Sequence, residues 1–168
     1  MPSEPSSISE TPSANSVDWY ANVIWGKHIV SDNTLFEVMS LQIFQAGLTW
    51  HMIIKKRDGF RSAFSNWCVK TVANFGAAEV ATLRNDPSII RNQMKIQAVI
   101  ENAKIILDIQ TKHGSFCNWF YNVLAGTEYP AIRSSLKETF KFMGPEISRM
   151  WLMASGRITE EEGAKYQP

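Results

Sequence analysis

Cysteine is scarce: Cys68 and Cys117 are the only two in 168 residues, and their separation matches no metal-type spacing. That argues against a disulfide framework or a cysteine-ligated zinc module, and reduced core thiols in a cytosolic protein are expected. Long apolar runs are missing too. None approaches the ~18–20 residues of a bilayer span, so no membrane contact is expected. The opening MPSEPSSISE has neither a basic start nor an apolar stretch, so no secretory signal is expected and the location is read as cytoplasmic. Strand-type alternation never lasts more than a few residues, which argues against a sheet. The three histidines, His28, His51 and His113, are scattered, and nothing suggests a Ser-His-Asp or Cys-His arrangement. A strong excess of one charge is also lacking, with 17 Lys and Arg against 16 Asp and Glu.

What is present fits one soluble domain, 45% apolar and 20% charged. Residues 1–16 are rich in Ser and Pro and read as a disordered tail. The folded domain is then 17–168, starting near Asp18–Trp19–Tyr20. Charge is uneven: residues 1–32 carry Glu4, Glu10, Asp18 and Asp32 against Lys27, while Lys55, Lys56, Arg57 and Arg61 cluster in the body. This cluster permits phosphate contacts and equally fits a solvated helix face.

Helix punctuation dominates the rest. Asp32 or Asn33 can cap a helix running to Ala46, with Gly47 as its stop. Thr49 can cap a helix over 50–66, and short helices fit 69–75 and 77–85. Asp86–Pro87 reads as a new helix start. A long helix from about Met94 to Lys112 ends at Gly114. FCNWFYNVL at 116–124 fits a helix or a buried strand, and Glu128–Ser135 reads as a loop. Gly144–Pro145–Glu146 opens a helix through Ala154, and Thr159 with Glu162 has the form of a capping box. The fold class is all-α.

One polar residue stands in the wrong place. In LQIFQAGLTW, residues 41–50, Gln42 falls within about one-sixth of a turn of Leu35, Met39 and Ala46 on a helical wheel. An unpaired buried amide would cost about 1–3 kcal/mol. Either the amide bonds a loop backbone inside the core, or its face lines a pocket and the amide awaits a ligand. In the second case Trp50, Tyr20 and Trp25 supply nearby rings. An amide donates to N7 and accepts from N6 of adenine at once, while rings stack on the flat base.

The run LFEVMSLQIFQAGLTWHMIIKKRDGFRSAF at 35–64 resembles the signature region of the DNA-3-methyladenine glycosylase I family. The resemblance continues through DPSIIRNQMKIQAVIENAK at 86–104 and, more faintly, FKFMGPEISRMWLMASG at 140–156. WYANVIWG at 19–26 is similar to its N-terminal aromatic segment. This implies a helix-hairpin-helix DNA glycosylase-like fold of the base-excision repair type, which flips an alkylated adenine from double-stranded DNA and hydrolyses its N-glycosidic bond. By the same resemblance, Tyr20, Trp25 and Trp50 are substrate-binding, and Gln42 takes the place of the family's base-reading carboxylate and is the candidate catalytic residue. The segment Ile89–Ile96, with Arg91 and Lys95, matches the phosphate-gripping hairpin, and Lys55 and Lys56 are further candidates for DNA contact. A monomer that releases 3-methyladenine is expected.

Three departures stand out. Gln42 replaces Glu, which removes a negative charge from beside a cationic substrate, and in a partly desolvated site such a charge is worth about a few kcal/mol. The family joins its termini through zinc with two Cys and two His. Here the corresponding positions are Ala21, Glu161 and Lys165, and no cysteine precedes Cys68, so no metal or other cofactor is expected. The hairpin carries Ser88 and Met94 where the family favours glycine, so a looser DNA grip is expected. Asp108 lies off the main apolar face of its helix and reads as an edge residue rather than a catalytic acid. An alkylated purine is a good leaving group, so pocket shape and water suffice. The alternative is a non-catalytic binder of damaged DNA or free purine; a helical protein-interaction module is a third.

Overall fold

A computed structural model describes residues 16–168, which are helical with no strand among them. A short α1 (Ser16–Asp18) runs into a π-helical turn (Trp19–Ile24). Then come α2 (Asp32–Gln45), α3 (Trp50–Ile54) and α4 (Arg57–Ala63). A 3-10 turn (Ser65–Trp67) leads to α5 (Val69–Ala73), α6 (Ala77–Arg84) and the long α7 (Gln93–His113). The chain continues through α8 (Phe116–Asn118), a second π-helical turn (Trp119–Val123), α9 (Tyr129–Thr139), α10 (Pro145–Ala154) and α11 (Glu160–Ala164). The expected tail lies outside the described residues except for Ser16, which is already helical and buried.

Helix α2 is the axis. Every residue from Leu35 to Phe44 is buried, including Glu37, Ser40 and Gln42. A helix buried all round has neighbours on every side, and α2 packs on α3, α5, α7, α8 and α10. Its N-cap is Ser31, whose Oγ accepts from the Thr34 N–H, rather than Asp32 or Asn33. Asp32 is used otherwise: its carboxylate accepts from the Phe116 and Cys117 N–H groups and from the Gln110 amide. Burial raises its pKa, but these hydrogen bonds outweigh it and the net shift is downward.

Glu37 forms a buried ion pair with Arg57 at 2.9 Å. The Arg57 guanidinium also lies 3.5 Å from the Trp19 ring centre, tying α2, α4 and the N-terminal π turn together. Burial pushes the Glu37 carboxyl up, and Arg57 opposes that shift.

Several local signals act as read. Thr49 caps α3, Gly47 sits at φ +81° after α2, Gly114 at φ +87° ends α7, and Thr159 caps α11. Elsewhere tertiary contacts override the local pattern. The helix read over 50–66 is interrupted at Lys55–Lys56, and its end forms a left-handed turn with Ser65, Asn66 and Trp67 at φ 53°, 55° and 60°. Such residues cost about 1–2 kcal/mol each; the turn delivers Trp67 against Phe64, stacked at 4.8 Å. Asp86–Pro87 starts no helix. The Asp86 carboxylate accepts from the Ser88 N–H and hydroxyl in a turn, and α7 begins only at Gln93, capped by Asn92. Glu128–Ser135 is no loop: Tyr129, Ile132 and Leu136 bury one face of α9, opened by Pro130. The 116–124 segment is helical. In α11 only half of the capping box forms, because the Glu162 carboxylate accepts from the Tyr129 N–H.

Two close approaches fix how neighbouring elements meet. A Cβ on Gly59 of α4 would lie 2.2 Å from the Ser88 carbonyl oxygen, so only glycine lets α4 meet the turn before α7. Asn102 of α7 clamps the backbone of Lys141 from both sides, at 3.1 and 2.8 Å, and so fixes the turn that leads into α10.

Candidate active site

Gln42 is 2% exposed, yet it lines a cavity of about 430 Å³. The other walls are Gln45 to Leu48 after α2 and Gly144 to Ile147 with Met150 on α10. Its Nε2 donates to the Tyr20 hydroxyl at 2.9 Å. That bond pins the plane of the amide and leaves a second N–H and Oε1 to meet a ligand. Burial drives the Tyr20 hydroxyl well above the usual phenol pKa, with the Gln42 bond opposing, so Tyr20 stays a neutral O–H.

Of the three rings expected to wall the pocket, Tyr20 reaches the amide, Trp25 and Trp50 pack on Tyr20, and none of the three lines the cavity. Tyr20 rides on the π-helical turn, a distortion frequent at functional sites. Its ring centre is 4.5 Å from that of Trp50 and 5.7 Å from that of Trp25. A flat base inserted between Tyr20 and Trp50 would need roughly 7 Å, two contact layers. The two rings therefore close on each other, and the open space lies beside Gln42. The Trp25 N–H donates to the Glu160 carboxylate of α11, which joins the N-terminal segment to the C-terminal helix. Gly26 N–H ties the same segment to the end of α10 by donating to the Ala154 carbonyl at 2.9 Å.

The basic candidates separate into two kinds. Lys55 and Arg91 are exposed. Lys56 donates to the Pro87 carbonyl at 3.0 Å and fastens the turn before α7. Lys95 departs from the expected role of gripping phosphates: it is 7% exposed, and its ammonium donates to the Phe44 and Ala46 carbonyls at 3.0 and 2.6 Å. It caps the C-terminus of α2, where a cation meets the negative end of the helix. Desolvation lowers its pKa.

Sequence reading missed the α10 wall, above all Glu146 and Met150. The nearest signal was the Gly144–Pro145–Glu146 helix start, whose first turn faces α2 across a hundred residues of chain. Asp108 is exposed and pairs with Lys112 at 3.0 Å, which fits an edge residue. Among the described residues no group of three or more His, Cys, Asp and Glu is placed to hold a metal, and no helix is long and apolar enough to cross a membrane.

The model of the methyladenine glycosylase family matches residues 11–139. The chain is 29% identical over 154 residues to DNA-3-methyladenine glycosylase 1 of Escherichia coli (strain K12), spanning 81% of this chain and 82% of that one. A crystal structure of 3-methyladenine DNA glycosylase I superposes with a TM-score of 0.76 at 27% identity, covering 90% of this chain and 91% of the other. A glutamate-to-glutamine mutant of 3-methyladenine DNA glycosylase I from Staphylococcus aureus does so at 0.76 with 25% identity, over 85% and 87%. The chain belongs to the methyladenine glycosylase family.

Proposed function

We propose that the chain is a monofunctional DNA N-glycosylase of base-excision repair, which removes 3-methyladenine or a closely related alkylated purine from double-stranded DNA. The observation that carries this reading is a nearly sealed amide, Gln42, oriented by Tyr20 and opening on a cavity of about 430 Å³. With one N–H engaged by Tyr20, the other donates to purine N7 while Oε1 accepts from N6, a pattern that reads adenine's edge.

The chemistry asks little of the protein. An N3-alkylated adenine in DNA carries a positive ring. When the bond from C1′ to the ring nitrogen breaks, its electron pair neutralises that charge. Water supplies the hydroxyl that C1′ takes up, and its proton passes to solvent. The products are a free base and an abasic site in an uncut strand. Lys55 and Arg91, both exposed, suit phosphate contact beside the site. Of the positions where the family holds zinc, Ala21 has no ligating atom, Lys165 pairs with Glu162 at 3.2 Å, and the single carboxylate of Glu161 does not make a zinc site. The reading includes a metal-free monomer, free of membrane contact and cytoplasmic.

A non-catalytic binder of damaged DNA or free purine is the second reading, motivated by the neutral amide at position 42. Release of bases from methylated duplex DNA separates the two. The glycosylase reading expects release by the wild type, loss of at least about tenfold in Gln42→Ala, and DNA affinity that falls steeply with salt. Salt-dependent binding without release from either the wild type or Gln42→Glu would establish the binder instead.

A further inference from the structure

The cavity beside Gln42 carries one charged side chain that the family resemblance does not foresee. Glu146 stands in the first turn of α10 and lines the same space. Arg149 holds its carboxylate in a fork: Nε donates to Oε1 at 2.9 Å and Nη2 to Oε2 at 2.7 Å. A two-pronged pair fixes the plane of the carboxylate and still leaves a lone pair on each oxygen.

The pair is lopsided. The Arg149 side chain is 7% exposed and sends Nη1 inward to the Gly163 carbonyl at 3.3 Å, whereas that of Glu146 is 52% exposed. The cation therefore sits on the protein side and the anion on the open side. A ring entering the cavity meets the negative pole first, and the guanidinium behind it cancels only part of the attraction, since Coulomb energy falls with distance.

The proposed substrate is cationic until its bond breaks, and Gln42 offers it a dipole but no charge. We infer that Glu146 is a specificity-determining residue: from the α10 wall of the cavity its carboxylate supplies the negative charge that position 42 lacks, and it selects alkylated purines with a positive ring over neutral ones. The inference rests on the glycosylase reading. Its sign for kinetics is definite. The base loses its positive charge on the way to the transition state, so a carboxylate beside it favours the bound substrate and acts on KM rather than kcat.

The test is steady-state release of 3-methyladenine from methylated duplex DNA by wild type, Glu146→Gln, Glu146→Asp and the double variant Gln42→Glu/Glu146→Gln. Thermal midpoints and affinity for a duplex with an uncharged abasic-site analogue are measured alongside. Glu146→Gln is expected to raise KM on the order of tenfold with kcat not reduced, as loss of a half-exposed charge implies. Glu146→Asp keeps the charge and stays near wild type, the double variant recovers a low KM, and affinity for the uncharged duplex holds in all four. Unchanged KM in Glu146→Gln overturns the inference, and so does Glu146→Asp failing as badly or affinity for the uncharged duplex dropping in step, which marks a structural role. Absence of release by the wild type takes down the glycosylase reading and this inference together, whereas release with an insensitive KM takes down this inference alone.

Discussion

Two groups of aromatic rings in this molecule have nearly the same spacing and opposite uses. In the first, Phe36, Phe44, Phe60, Phe64 and Trp67 are at most 1% exposed; Phe44 and Phe60 lie 4.7 Å apart, and Phe64 and Trp67 4.8 Å. In the second, Tyr20, Trp25 and Trp50 are half-buried, with Tyr20 and Trp50 4.5 Å apart. Ring distance does not tell the groups apart; their polar atoms do. The Trp67 N–H is buried without a partner among the described residues, whereas the Tyr20 oxygen accepts from Gln42 and the Trp25 N–H donates to Glu160. A core offsets a stranded N–H by the area its ring buries. In the second group the partners of Tyr20 and Trp25 hold the rings in place, and the Tyr20 bond fixes the orientation in which Gln42 keeps its remaining N–H and Oε1 for a ligand.

The comparison breaks most visibly where the first group is emptied. Phe64→Ala removes a fully buried ring that touches Phe44, Phe60, Trp67 and Phe75. It should cost about 4 kcal/mol and lower the thermal midpoint by roughly 10–15 °C. A loss near that from Trp50→Ala would erase the distinction between the groups. Next comes the bridge between them, where Arg57 pairs with Glu37 beneath Trp19. Arg57→Met leaves a buried carboxylate unpaired, at a cost of about 3 kcal/mol near neutral pH. The pH dependence has a fixed sign. Burial raises the Glu37 pKa, and without Arg57 the rise is larger, so the folded state binds a proton that the unfolded chain releases. Stability linked to that proton is present below the ordinary Glu pKa and lost as pH rises through the folded value. Denaturation curves should therefore show the deficit of the variant narrowing as pH falls toward 4.5.

The same contrast explains what was legible in the chain. Thr49, Gly47, Gly114 and Thr159 act through neighbours a few residues away, so their signals survive in any context. Gln42 was legible as an anomaly, since a polar residue on an apolar stripe needs either a partner or a pocket. The α9 helix was hidden behind Pro130 and paired serines, although Tyr129, Ile132 and Leu136 carry a helical spacing that outweighs them. The inward role of Lys95, read instead as a phosphate contact, and the place of Glu146 at the cavity were not legible. One lysine in a hairpin and one glutamate at a helix start have ordinary local settings; only the packing of α7 and α10 against α2 turns the first inward to the Phe44 and Ala46 carbonyls and the second toward the cavity.

Smaller effects sharpen the comparison from the side of the site. Tyr20→Phe keeps the ring but removes the oxygen that orients Gln42. Stability should fall by only about 0.5–1 kcal/mol, while base release drops several-fold because the amide no longer holds one plane. Equal losses in both would make Tyr20 a core residue. The smallest expected change is Glu160→Ala, which withdraws an exposed acceptor from the Trp25 N–H. The cost is about 0.5 kcal/mol, as for other interactions at the solvent boundary. Hydrogen exchange of the indole protons reads it directly. Trp25 should exchange faster in the variant, since water replaces the carboxylate, while the Trp67 indole, unbonded but sealed at 1% exposure, stays slow in both proteins. A Trp67 proton that exchanges as fast as that of Trp25 would mean that burial does not protect the core group, and the two sets of rings would differ in nothing but their neighbours.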